Sequence, residues 1–202
     1  SYFCALMNAI TLVKAARLRT LPLSVSGIIT GSAVALREKP EAFRWDIFLL
    51  ALLTTVLFQI LSNFANDYGD GVKGTDNEHR IGPARALQSG AITRQQMKRV
   101  VLITAALSIL SAIALIIAAF GSENLLYTLV FFVLGLLCVA AAIKYTVGRS
   151  AYGYRGLGDV FVFVFFGLVS VVGSQFLYTQ QIDKAVWLPA IAIGLLSVAV
   201  LN

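Results

Sequence analysis

Asn63-Phe64-Ala65-Asn66-Asp67-Tyr68-Gly69-Asp70-Gly71-Val72-Lys73-Gly74-Thr75-Asp76 is an acidic, amide-rich run at the end of a long apolar segment. Carboxylates at a membrane boundary are costly to place, so they call for a functional reason. On a helix, residues three and four apart share a face. Such steps link Asn63, Asn66, Asp67 and Asp70, and the spacing predicts that all four side chains point one way. Oxygen donors of this kind suit a hard cation such as Mg2+, which keeps waters and bridges to substrate phosphates. Gly69, Gly71 and Gly74 are expected to end the helix and turn the chain, bringing Asp76 back toward the other four. The plainer alternative is a solvated helix end followed by a turn.

The rest of the chain explains why this run stands out. Of its 202 residues, 58% are hydrophobic and 13% charged, against about 25% charged in soluble domains. Mean hydropathy is +0.83. Apolar stretches long enough to span a bilayer fall at about 21–36, 46–64, 99–120, 124–143, 159–178 and 186–201. The expected fold is therefore all-α, a polytopic transmembrane helical bundle. Pro22 suits the first turn of the first span. Gly121-Ser122-Glu123-Asn124 is so short a link that the spans on either side must be antiparallel neighbours. The basic residues Lys14, Arg17 and Arg19 follow the first apolar stretch rather than precede it, so no cleavable signal peptide is legible. Ser1 is not a start methionine, and an incomplete or processed N-terminus is expected.

Twelve of the sixteen lysines and arginines fall in the N-terminal flank and the loops after the second and fourth spans. The positive-inside rule makes those segments cytoplasmic. The net charge of +6 is distributed between spans, which points to anionic headgroups and an anionic substrate rather than nucleic acid. Cys4 and Cys138 lie in or beside apolar segments and read as small hydrophobes. His79, the only histidine, receives no role, and Gln175 is expected to bond between helices.

Lys73, Arg80 and Arg85 follow the acidic run, and Lys144, Arg149 and Arg155 sit on the next cytoplasmic loop. Arginine clamps a diphosphate bidentately, and lysine acts as a point charge. Positive-inside bias alone accounts for many of these residues. Lys144, directly after an apolar run and pointing where the two loops meet, is the best of the group. A third constellation is Tyr152-Gly153-Tyr154-Arg155-Gly156-Leu157-Gly158-Asp159, which leads into Val160-Phe161-Val162-Phe163-Val164-Phe165-Phe166-Gly167. Asp159 stands at the mouth of a span. The aromatic run can wall an isoprenoid channel or stabilise a cation by its ring faces; lipid contact is the alternative.

Together these residues resemble the UbiA superfamily of intramembrane prenyltransferases, in its 1,4-dihydroxy-2-naphthoate polyprenyltransferase branch. The resemblance covers nearly the whole chain. It is carried by Arg17 to Pro22 with Gly31-Ser32, by Leu61 to Gly82, by Lys144-Tyr145-Thr146, and by Tyr152 to Asp159 with Phe163-Val164-Phe165-Phe166-Gly167. It implies a bundle of about nine helices, about six of them present here, with two aspartate-rich motifs near the cytoplasmic side of a bacterial inner membrane. Mg2+ bridges those motifs and the diphosphate of a polyprenyl donor. The first motif maps onto Asn66, Asp67, Asp70 and Asp76 as metal ligands, with Asn63 in support. The expected catalytic residues are Asp67, Asp70 and Lys144. Asn63, Asn66, Lys73, Arg17, Arg80, Tyr145, Arg155 and Asp159 are expected to contact the diphosphate or its surroundings. The implied product is demethylmenaquinone, formed as the naphthoate ring takes the prenyl group and loses its carboxylate. Either Asp67 or Asp159 can serve as base.

Two departures from the family pattern stand out. The second aspartate motif follows the sixth helix in the family, and this chain stops at Leu201-Asn202. Residues 1–202 are thus expected to be the N-terminal two-thirds of a single transmembrane prenyltransferase domain. Gly148-Arg149-Ser150-Ala151 varies from the family's proline-containing turn, so Arg149 carries little weight. Donor length and acceptor are not fixed by the residues, and hydroxybenzoate, homogentisate and haem remain open as acceptors. A CDP-alcohol phosphotransferase also clusters aspartates at a helix end, but its Asp-Gly then Ala-Arg order is absent. A cation transporter segment is the non-enzymatic alternative, although transporter sites favour the bilayer midplane.

Overall fold

The computed structural model describes residues 2–74, 85–148, 151, 153 and 156–201. It is a helical bundle: α1 (Tyr2–Ala15), α2 (Leu21–Glu38), α3 (Trp45–Lys73), α4 (Arg94–Phe120), α5 (Leu125–Lys144), α6 (Gly158–Thr179) and α7 (Trp187–Leu201). No strand occurs among the described residues. All six expected spans are helices. Five helical stretches are long and apolar enough to cross a membrane, and α7 is an apolar helix below that length. The chain is a multi-pass membrane protein.

Local chemistry sets the helix ends. Pro22 occupies the first turn of α2, and α4 opens on a capping box in which Thr93 and Gln96 satisfy each other's backbone amides. The α3 entry is pinned by Arg44, which pairs with Asp46 and donates 2.8 Å to the Ala118 carbonyl at the end of α4. The 121–124 turn makes α4 and α5 antiparallel neighbours, as the sequence requires.

The structure corrects three expectations. The N-terminal flank, read as a short apolar stretch before basic residues and not counted among the spans, contains α1. The second span, expected to end near residue 64, continues as α3 to Lys73. Gly69 and Gly71 do not end that helix: they lie inside it, where a Cβ on Gly69 would meet the Thr146 side chain at 2.6 Å and one on Gly71 would meet Leu87 at 2.5 Å. They permit close approach of the loops that carry the site. Only Gly74, at φ 72°, terminates α3. The third correction concerns Gln175, which donates to Thr179 on its own helix at 2.8 Å rather than across helices.

Small residues knit the spans together, as bilayer packing without a hydrophobic drive requires. Gly27 and Gly31, one turn apart on α2, lie against Ser170 and Val171 of α6, and Gly167 lies against Ala190 and Gly194 of α7. Between these seams the middle of α6, Phe163–Val172, winds as a π-helix, a form concentrated at functional sites. One buried cluster gathers Leu61, Phe64, Met97 and Val101 at the basic end of the bundle, another gathers Ile47, Phe120, Leu177 and Tyr178 at the far end, and a smaller third joins Val171, Val186 and Ala190. Large apolar side chains such as Leu125, Leu126 and Leu188 face outward. Cys138 is a free, half-buried thiol in α5; the side chain of Cys4 lies outside the described residues.

Gly31→Val is expected to cost about 1–3 kcal/mol through overpacking, read as a lower melting temperature in detergent. Gly135→Ala, whose Cβ would meet only the Ala112 methyl at 3.7 Å, is expected within about 0.5 kcal/mol of wild type. Equal losses in both variants would contradict the close α2–α6 seam.

Candidate active site

The last three turns of α3 carry the polar face that the 3–4 spacing anticipates. Asn63 and Asp67 are 3% and 2% exposed, Asp70 is buried and Asn66 half-buried. A carboxylate so placed needs a counterion, and two arginines supply it. Arg17 forms an ion pair with Asp67, and Arg85 pairs with Asp70 while its Nη1 lies 3.6 Å from Asp67 Oδ1. Arg85 thus bridges the two acids, and its guanidinium also reaches the Asn66 carbonyl at 3.5 Å. The four charges balance.

Each arginine is held by its own segment. Arg17 sits at the break between α1 and α2 with φ 51°, a left-handed conformation that costs a non-glycine residue roughly 1 kcal/mol or more. The break is stitched to α3: Asn63 Nδ2 donates to the Ala16 carbonyl at 2.8 Å and to Thr20 Oγ1 at 3.1 Å, and Gln59 Nε2 donates to Thr20 Oγ1 at 3.1 Å. Arg85 begins a segment anchored by the buried side chains of Ala86 and Ile92, with Leu87 seated on Gly71.

Tyr145-Thr146 follows α5 and closes the other side. Thr146 Oγ1 donates to the Ala65 carbonyl at 3.1 Å and to Asn66 Oδ1 at 3.2 Å. Gly153 donates its amide to the Tyr145 carbonyl at 3.0 Å and lies on the tyrosine ring, where a Cβ would come within 3.1 Å. Burial pushes the Tyr145 phenol up from its ordinary range, and the nearby carboxylates of Asp159 and Asp70 push it the same way. The hydroxyl therefore stays protonated at neutral pH and can donate. Asp159 occupies the first turn of α6.

These groups surround one end of a cavity of about 530 Å3. Arg17, Asn63, Asn66, Asp70, Arg85 and Tyr145 line that end. Phe161, Phe165 and Phe166 of α6 wall its body, and Leu115, Phe131 and Leu177 line it toward the far cluster. The volume is within the range of small-molecule sites. Its form, a charged head on an apolar body, suits an amphiphile with a polyanionic head.

The structure thus brings Arg17, Asn63, Asn66, Asp67, Asp70 and Tyr145 together, with Asp159 close enough to Tyr145 to act on its phenol. Lys73 and Lys144 are exposed at the same end of the bundle and do not line the cavity. Asp76, Arg80 and Arg155 lie outside the described residues, as do His79, Arg149, Tyr152 and Tyr154. Among the described residues no group of three or more Asp, Glu, His or Cys side chains is arranged to hold a metal. The donor set is two carboxylates and amide oxygens, hard ligands of the type that bind Mg2+ together with phosphate oxygens. Arg85 belongs at the centre, yet its spacing sets it apart from no other basic loop residue. Gln59 was legible, since it lies four residues before Asn63 on the same face.

The UbiA prenyltransferase family profile matches residues 25–202. The chain is 50% identical over 189 residues to the 1,4-dihydroxy-2-naphthoate octaprenyltransferase of Haemophilus influenzae, covering 94% of this chain and 61% of that protein. It is 50% identical over 190 residues to the Escherichia coli protein of the same name, covering 94% and 60%. The corresponding protein of Mycobacterium tuberculosis is 36% identical over 189 residues, covering 94% and 61%. The chain thus spans about 60% of the length of these curated relatives. No solved structure matches it with significance.

Arg17 and Asp67 are expected to be energetically coupled. In a double-mutant cycle of Arg17→Gln and Asp67→Asn, unfolding in detergent should show an interaction energy of about 0.5–3 kcal/mol. Strict additivity of the two single variants would contradict the pair.

Proposed function

Because the chain belongs to the UbiA prenyltransferase family, we propose that its cavity is the donor site of an intramembrane prenyltransferase. In this reading a polyprenyl group moves from its diphosphate to 1,4-dihydroxy-2-naphthoate, with loss of CO2, giving the hydroquinone form of demethylmenaquinone in menaquinone synthesis. The observation that carries it is the cavity's composition: Asp70, two arginines and an amide face at the head, with Asp67 buried behind them against Arg17, and phenylalanines along the body. The acceptor and the octaprenyl donor rest on the names of the relatives.

Asp67, Asp70 and Asn66 would hold Mg2+, with Asp76 a further candidate. The metal supplies charge neutralisation for the departing diphosphate. Arg17 and Arg85 donate to the phosphoryl oxygens from fixed positions on either side of the acids. The Tyr145 hydroxyl, kept protonated, donates a hydrogen bond at the same end. As the allylic C–O bond breaks, positive charge develops on the prenyl carbon. The faces of Phe161, Phe165 and Phe166 shield that carbon from water, which would otherwise capture it. The naphthoate ring attacks it, and the ring carboxylate leaves as CO2. Asp159, exposed beside Tyr145, and Asp67, buried against Arg17, are the two candidate bases. Lys144 and Lys73, exposed at the rim, draw anionic substrates toward the mouth. The basic excess at this end orients it to the cytoplasm, in a bacterial inner membrane.

In the native full-length protein, Asp67→Asn or Asp70→Asn is expected to lower prenyl transfer on the order of 10²-fold or more, since each removes several kcal/mol of transition-state stabilisation. Chelation should abolish turnover and Mg2+ restore it. Near-normal rates in both variants would defeat the assignment of the acids.

A further inference from the structure

Phenylalanines of α6 form one wall of the cavity, and a polar stripe of α3 forms another. Thr55, Gln59, Ser62 and Asn66 all line it. They are four, three and four residues apart, so they share one face of the helix. From Thr55 to Ser62 the stripe runs about 10 Å at the usual helical rise, the length of a substituted two-ring aromatic. We infer that this stripe is the acceptor's wall: Thr55, Gln59 and Ser62 hydrogen-bond the ring hydroxyls of a dihydroxyaryl acceptor, while the prenyl chain lies along Phe161, Phe165 and Phe166. Prenyl transfer to an aryl acceptor is the reading on which this rests.

Three unpaired polar atoms point to such a ligand. The Thr55 and Ser62 hydroxyls and Gln59 Oε1 have no hydrogen-bond partner among the described residues, and each side chain is half-buried on the cavity surface. A serine or threonine inside a helix can return its hydroxyl to the carbonyl four residues back. Thr104 and Ser108 do so on α4, both at 2.8 Å; Thr55 and Ser62 do not. The other unpaired hydroxyls that line the cavity, on Ser170 and Ser197, are sealed within its wall. A hydrocarbon tail laid on the α3 stripe would leave its polar atoms desolvated and unpaired, which is costly. A ring that bears hydroxyls pairs with them.

The orientation of Gln59 is dictated by its neighbour. Thr20 Oγ1 has one proton, which it donates to the Arg17 carbonyl at 2.9 Å. What it receives from Asn63 and from Gln59, each at 3.1 Å, must then be amide N–H. Gln59 is thereby turned so that Oε1, which can only accept, is left for the cavity. Its complement is a phenolic O–H. An oxygen without a proton at that place would meet Oε1 lone pair to lone pair, so the stripe favours the reduced ring over its quinone.

Calorimetry on the full-length protein in detergent tests this assignment. The protein is saturated with Mg2+ and geranylgeranyl S-thiolodiphosphate (an inert donor analogue). It is then titrated, without oxygen, with 1,4-dihydroxy-2-naphthoate or with 2-naphthoate, which lacks both hydroxyls. The wild type is expected to bind the dihydroxy ring about 10-fold or more tightly, as hydrogen bonds to otherwise unpaired groups require. Thr55→Val, Ser62→Ala and Gln59→Met should each narrow that preference by about threefold or more, Gln59→Met the most. A ratio between two acceptors is insensitive to a general loss of structure, and affinity for the donor analogue in the same samples reports whether the ionic head is intact. Equal wild-type affinity for the two rings, or a preference that survives in all three variants, would overturn the acceptor wall and leave the prenyl-transfer reading standing. Failure of the wild type to bind the donor analogue would overturn both. The wild-type comparison decides the matter even if a variant does not fold.

Discussion

A carboxylate buried at the edge of a bilayer must be neutralised, and the basic end of this bundle is organised around meeting that requirement for Asp67 and Asp70. The counterions come from two places distant in the sequence: the break between α1 and α2, and the segment that follows α3. Joining them to the last turns of α3 ties three parts of the chain into one structure. The hydrogen bonds of Asn63, Gln59, Thr20 and Thr146 serve the same end, holding the segments that bear charge at fixed distances from the acids.

Close approach makes this possible. Gly69 admits Thr146, Gly71 admits Leu87, and Gly153 lies on the Tyr145 ring. The first two contacts bring two loops onto the last turns of α3, and the third folds the α5–α6 loop back on itself. Deeper in the bundle, Gly27, Gly31 and Gly167 draw α2, α6 and α7 together, and the π-helical stretch of α6 presents Phe165 and Phe166 to the cavity. The same seams that compensate for the lack of a hydrophobic drive in lipid also leave a chamber with an ionic head and an aromatic body.

Much of this was legible from residue spacing. Spans of sustained apolarity fixed the helices, and steps of three and four fixed the shared face of Asn63, Asn66, Asp67 and Asp70. What escaped was tertiary. α1 hid because a short apolar stretch before basic residues has no distinctive signal. The continuation of α3 to Lys73 was missed because glycine was read for its conformational freedom, when here it serves packing. Arg85 could not be told from its basic neighbours, because positive-inside bias places many such residues for reasons unconnected with a site. Lys144 had the opposite fate: its position after an apolar run suggested centrality, yet its side chain is exposed and off the cavity. Spacing along a helix reports which side chains share a face; it does not report what packs against that face.

The central claim is that the buried acids of α3 take a divalent cation in company with a lipid diphosphate. Its most direct test replaces Mg2+ with Mn2+ and records electron–nuclear double resonance with the inert donor analogue bound to the full-length protein. The account expects phosphorus-31 coupling of the size produced by direct coordination, absent when Asp67 and Asp70 are both replaced by asparagine. A manganese centre with no phosphorus coupling, or one unchanged in that double variant, would contradict it.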